Sequence, residues 1–302
     1  MKVKNLLIVF IFCLIVAIPL VTKGHDDESP GSVRIIKDLN YTGGTNAAQT
    51  LDLYLPTPRD AKKPLPLIVF IHGGAWIEGS KENGPCYFLT QQGFAAASIN
   101  YRLSTEATYP AQIDDVKKAI VYLRQHASEH GINPARIGVW GISAGGHLAA
   151  LVGTTGSTTD KDGDNSVQAV LDWCGVSDLS SVSAQAGSKT KLDFDDPQGP
   201  VAKFLGGLPV DKPALAADAR PVNHISKDDP PFLLVHGDID DVVPFAQSQE
   251  LYDRLKQAGV PVELKVVKGG GHMFGDDNQM KRAVDFFKAT LVDGQRNFSL
   301  PD

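Results

Sequence analysis

The stretch Ile137-Gly138-Val139-Trp140-Gly141-Ile142-Ser143-Ala144-Gly145-Gly146-His147-Leu148-Ala149-Ala150-Leu151 decides the reading of this chain. Its first four residues form a short uncharged run that predicts a buried strand, and from His147 onward the residues suit a helix. Between them stands a serine with a glycine two places before it and another two places after. A serine held out at a sharp strand-to-helix turn takes strained backbone angles, so its neighbours must be small enough not to clash. Gly141 and Gly145 supply that room, and the amide of Ala144 then points to where an oxyanion would develop. The string G-x-S-x-G alone arises often by chance. The strand before it and the helix after it make Ser143 a specific candidate nucleophile.

A serine hydroxyl attacks only when a base takes its proton, and the base needs a carboxylate to orient it. His272 closes the run Gly269-Gly270-Gly271-His272 after the last expected strand, and no later histidine follows the acidic candidates. Those candidates are Asp238, Asp240 and Asp241, in His236-Gly237-Asp238-Ile239-Asp240-Asp241. Spacing alone does not rank the three. Upstream, His72-Gly73-Gly74-Ala75-Trp76 follows a strand ending at Ile71, and its backbone amides suit the second half of an oxyanion hole. The expected donors are Gly74 or Ala75 together with Ala144. His72 reads as a brace for this loop.

Around these motifs the chain alternates short aliphatic runs with longer segments of helical period, the pattern of a parallel sheet covered by helices on both faces. Strands are expected at Leu67 to Ile71, Ala95 to Ile99, Ile137 to Trp140, Ala169 to Trp173, Phe232 to Val235 and Leu264 to Val267, all buried on both faces. Val33 to Lys37 and Thr50 to Leu55 alternate in polarity and are expected as an antiparallel edge. That makes a mostly parallel sheet of about eight strands. Helices are expected over Ile113 to Leu123, Ser143 to Leu151, Phe245 to Ala258 and Gln279 to Thr290, the third closed by Gly259. From 177 to 230 the alternation breaks into Ser-, Gly-, Pro- and Asp-rich sequence with a weak helix at Pro200 to Leu205. A long irregular stretch of this kind usually carries function. It reads as an insert over the site within a single domain spanning 33–295.

Composition narrows the function classes. A net charge of −6 without a basic stripe argues against nucleic acid as a partner. Residues 1–24 combine Lys2 and Lys4 with an unbroken apolar run from Leu6 to Val21, the layout of a signal peptide, with an uncleaved anchor as the alternative. A secreted or periplasmic protein is expected, with membrane contact only through such an anchor. Cys86 and Cys174 are either a disulfide in that compartment or two buried thiols. Asp160, Asp162 and Asp164 imitate a calcium loop, but Asn165 stands in place of the turn glycine and Leu171 in place of the closing glutamate. With no H-E-x-x-H and no paired C-x-x-C, no metal and no cofactor is expected.

The motifs His72-Gly73-Gly74-Ala75-Trp76, Gly141-Ile142-Ser143-Ala144-Gly145-Gly146-His147, His236-Gly237-Asp238-Ile239-Asp240 with Val243-Pro244, and Gly271-His272 resemble those of the α/β-hydrolase superfamily. Within it they are similar to its bacterial feruloyl-esterase-like and hormone-sensitive-lipase-like branches, from about Lys62 to Leu291. The resemblance implies a carboxylic ester hydrolase working through an acyl-enzyme, with Ser143, Asp240 and His272 as the triad. It departs at Ala75, where lipase relatives carry a third glycine. It also points to short acyl (acetyl) or feruloyl esters of carbohydrates, and the polar insert suits a sugar better than an oil droplet. The competing readings are a general short-chain carboxylesterase or lipase, a prolyl-type peptidase, and a non-catalytic binding protein. The expected partner is a small-molecule or polysaccharide ester.

Overall fold

A computed structural model describes residues 32–60, 62–187 and 190–301. The expected signal segment, residues 1–24, lies outside the described residues. Among the described residues no helix is long and apolar enough to cross a membrane.

The chain builds one eight-stranded sheet in the order β1-β2-β4-β3-β5-β6-β7-β8. β1 (Ser32–Asn40) and β2 (Thr50–Thr57) form an antiparallel ribbon, and β2 joins β4 (Ala95–Ile99) antiparallel. β3 (Leu65–Ile71), β5 (Ile132–Ile142), β6 (Ala169–Trp173), β7 (Phe232–Gly237) and β8 (Val262–Val267) continue the sheet in parallel register. Side chains alternate across a strand, so β3 feeds both layers: Leu67, Val69 and Ile71 enter one core, Ile68 and Phe70 the other. The first core is closed by α2 (Ala111–Gln125), α3 (Ala144–Thr155) and α7 (Ala246–Gln257), the second by α1 (Cys86–Gln91) and α8 (Asp277–Phe287).

Two expectations need correction. β8 is not buried on both faces: it is the sheet edge, and all its residues are half-buried. Its Glu263 and Lys265 pair at 3.2 Å and also bind the main chain of Leu300, so charge and the C-terminal segment cover an otherwise open edge. The insert is also more ordered than its composition suggests. It holds α4 (Val182–Ala186), α5 (Pro200–Leu205) and α6 (Pro213–Asp218), and Phe194 is buried in the first core. Gly259 closes α7 as expected, since Val260 N–H bonds to Leu255 O and Gly259 N–H to Lys256 O.

Candidate active site

Because β5 runs straight into α3, Ser143 occupies the turn between them with φ 56° and ψ −120°. A positive φ of this kind is rare for a residue with a Cβ and costs about 1–3 kcal/mol. The turn holds because its neighbours nearly touch. A Cβ on Gly141 would lie 1.9 Å from Gly145 O, and one on Gly145 would lie 2.1 Å from Ile71 O. Both glycines are therefore required by backbone contact, as the spacing around Ser143 predicts. Ser143 N–H donates to Trp173 O at 2.7 Å, which fixes the turn to β6.

The loops after β7 and β8 bring the other two groups to this serine. His272 Nε2 lies 3.0 Å from Ser143 Oγ, and His272 Nδ1 lies 2.8 Å from Asp240 Oδ2. A carboxylate only accepts, so Nδ1–H donates to Asp240 and Nε2 is left to accept from the serine hydroxyl. The structure also separates the three aspartates that spacing could not rank. Asp238 Oδ1 accepts Gly269 N–H at 2.7 Å and so braces the histidine loop, while Asp241 pairs with Lys191 at 2.6 Å. Only Asp240 reaches His272.

Asp240 is held from every side. Oδ1 accepts the amides of Val242 and Val243 at 2.8 and 2.9 Å, and Oδ2 faces His236 Nε2 at 3.1 Å as well as His272. Burial pushes its carboxyl pKa up, but the hydrogen bonds from His236 and His272 outweigh burial and hold it well below the usual carboxylate range. His236 is a positioning residue that sequence reasoning left without a role. The signal was its place four residues before Asp240, at the penultimate position of β7.

The oxyanion loop is also strained. Ala75 and Trp76 have φ 50° and 61°. The amides of Gly74, Ala75 and Ala144 have no acceptor among the described residues, so they are free to donate to a ligand. His72 braces this loop as expected: it is buried, Nδ1–H donates to Gly73 O at 2.7 Å, and the ring stacks on Tyr101 at 4.3 Å. Burial lowers its pKa, partly offset by that carbonyl. A second brace comes from His147, one turn into α3. Its Nδ1 accepts Trp76 Nε1–H at 3.2 Å and its Nε2–H donates to Ala219 O at 2.7 Å. Fully buried, it is pushed down to about 4 and stays neutral. One imidazole thus joins the oxyanion loop, the nucleophile helix and the insert.

These groups open into a cavity of about 630 Å³. Its apolar lining comes from Phe70, Ile142, Leu192, Val242 and Met273. Leu192 belongs to the insert, which is strapped to the acid loop: Lys191 N–H donates to Asp241 O at 2.6 Å and Thr190 Oγ1–H to Val242 O at 3.0 Å. Deeper down, Phe204 of α5 stacks on Trp76 at 4.6 Å. The insert thus contributes Leu192 to the wall of the cavity. Cys86 and Cys174 are free, buried thiols. Cys174 lies behind the relay, its S–H 3.5 Å from His272 O, and burial followed by the carboxylates of Asp240 and Asp172 pushes that thiol up.

The fold defines the class: an α/β-hydrolase. Within that class the chain belongs to the BD-FAE family, which it matches over residues 51–255. It is 32% identical over 257 residues to the probable carboxylic ester hydrolase LipM of Mycobacterium tuberculosis, across 78% of this chain and 57% of that protein. The chain spans little more than half the length of the curated relatives it matches. A truncated carbohydrate esterase from gut microbiota has a TM-score of 0.76 at 33% identity, covering 89% of this chain and 98% of that one. An acetyl ester-xyloside bifunctional hydrolase from Caldicellulosiruptor lactoaceticus has a TM-score of 0.65 at 28% identity, with 87% and 95% covered.

Proposed function

We propose that this chain hydrolyses carboxylic esters through an acyl-enzyme on Ser143. The observation that carries the reading is the unbroken relay from Asp240 through His272 to Ser143, at 2.8 and 3.0 Å, opening into the cavity. In this reading His272 Nε2 takes the hydroxyl proton as Ser143 Oγ attacks the ester carbonyl carbon. The charge on the carbonyl oxygen falls on the amides of Ala144 and of Gly74 or Ala75, each donor worth roughly 3 kcal/mol in the transition state. Collapse of the tetrahedral intermediate breaks the bond to the alkoxide, which takes the proton from His272. Water then enters, His272 deprotonates it, and attack on the acyl-enzyme releases the acid and restores Ser143. Asp240 stays ionised throughout and stabilises the imidazolium. A fluorophosphonate probe should label Ser143. Labelling of Ser143→Ala at the wild-type level would overturn the reading.

For substrate we propose short acyl or feruloyl esters of carbohydrates. Support comes from the esterase neighbours whose names include a carbohydrate esterase and an acetyl ester-xyloside hydrolase, and from the polar side chains of Glu78 and Asn83 in the cavity lining. Along an acyl series from acetyl to palmitoyl esters, kcat/KM should peak at the short end, and acetate or ferulate should be released from xylan. A maximum at ten carbons or beyond defeats the first half. Short-ester activity without release from xylan leaves a general carboxylesterase.

A further inference from the structure

Among the residues lining the cavity, Glu78 is the one carboxylate, and no lysine or arginine lines it. It sits in the same turn as the expected oxyanion amides. Glu78 N–H donates to Gly74 O at 3.0 Å, and Glu78 Cγ lies 3.1 Å from where a Gly74 Cβ would be. Among the described residues its carboxylate has no ion-pair partner, and the nearby lysines are committed elsewhere. Lys81, three residues on, is held by Asp38 at 2.9 Å and Asp52 at 2.6 Å. Lys191, beside the cavity-lining Leu192, is held by Asp241 at 2.6 Å. One carboxylate without an ion-pair partner among the described residues therefore lines a cavity to which no lysine or arginine contributes.

We infer that Glu78 sets the charge selectivity of the cavity, admitting esters whose acyl group is neutral or cationic and rejecting those that carry a carboxylate near the scissile bond. The inference rests on the proposed ester hydrolysis and narrows its substrate class. A succinyl-type half-ester is the excluded case; acetyl and other uncharged acyl groups are the accepted one. Glu78 is solvent-exposed, so its field is screened. For a unit charge about 6 Å away in an effective dielectric of about 40 to 80, the discrimination is about 3- to 10-fold per charge step.

The test uses three 4-nitrophenyl esters that share a four-carbon acyl chain: butyrate, hemisuccinate and 4-(trimethylammonio)butyrate. Wild-type kcat/KM should fall in the order cationic, neutral, anionic, with steps of about 3- to 10-fold that shrink as salt is added. Glu78→Gln should bring the three within about twofold of one another, and Glu78→Asp, which keeps the charge, should retain the order. Unchanged ratios in Glu78→Gln, or an anionic ester turned over by wild type as fast as the neutral one, overturn the inference. The same head groups on non-hydrolysable alkyl ketones, with Kd measured by calorimetry, read the selectivity without turnover. The expected order of Kd with no ester hydrolysed sinks the hydrolase reading and supports the role of Glu78. Rapid hydrolysis with no charge order does the reverse.

Discussion

Asp240 shows how a buried carboxylate is kept ionised: two main-chain amides and two imidazoles surround it, and their hydrogen bonds outweigh the cost of burial. Asp240→Asn keeps the volume but presents an amide to His272, which disturbs the imidazole tautomer. It should lower kcat by about 10³- to 10⁴-fold. Asp241 is half-exposed against Lys191, so Asp241→Asn should cost less than tenfold. A larger loss in Asp241→Asn would move the acid by one position. At Ala75 the φ of 50° is one that a glycine would adopt without strain. Ala75→Gly removes the left-handed strain but adds freedom to the unfolded chain, so stability should rise by up to about 1 kcal/mol. Loss of more than that in urea unfolding would mean the methyl group packs.

Between elements, the antiparallel ribbon is tied to the rest of the sheet by charge as well as by strand pairing. A register shift between Ile36 and Leu39 places Asp38 in a bulge with φ 56°, where its carboxylate meets Lys81. Lys81 is buried and also binds Asp52 of β2 at 2.6 Å, while its own N–H donates to Asn100 Oδ1 at 2.8 Å. The ribbon is thereby anchored to the chain segment that leaves the oxyanion loop. Asp52→Leu strips Lys81 of its buried partner. It should cost about 3 kcal/mol, the low end for breaking a buried pair, because Asp38 still faces the ammonium. Adding Lys81→Met should recover most of that loss, measured from urea midpoints. If the double variant is no more stable than the single one, the ammonium is not the source of the cost.

For the molecule as a whole, buried carboxylates set the response of stability to pH. Asp172, at the C-terminal end of β6, is pushed up to about 7 by burial, against the opposing effects of Gly175 N–H at 2.8 Å and of His236. Unfolded, it titrates near 3.8. Between these values the folded chain holds a proton that the unfolded chain has lost, so stability falls as pH rises through this window, by an amount on the order of a few kcal/mol. Asp240 works in the opposite sense: its folded pKa is depressed, so the stability it contributes is present above the ordinary carboxylate range and lost in acid. Unfolding free energy should therefore decline from about pH 4 to pH 7, and Asp172→Asn should flatten that decline. An unchanged slope in the variant would exclude Asp172 as its source.

What the sequence determined by itself was local in origin. Short uncharged runs set the parallel strands, helical period set α2 and α7, and Gly141 and Gly145 marked the one turn that could hold Ser143, because each of these signals acts over a few neighbouring residues. The order of serine, aspartate and histidine was likewise visible along the chain. Choosing Asp240 over Asp238 and Asp241 by geometry needed the loops after β7 and β8 to meet, since the three lie within four residues and differ only in what each faces. The roles of His236 and His147 were hidden for the same reason, as were the edge position of β8 and the helices inside the insert. Their partners sit on other elements: Trp76 and Ala219 lie 71 and 72 positions from His147. Contacts at that separation are set by packing, and packing is decided only when the sheet and its layers assemble.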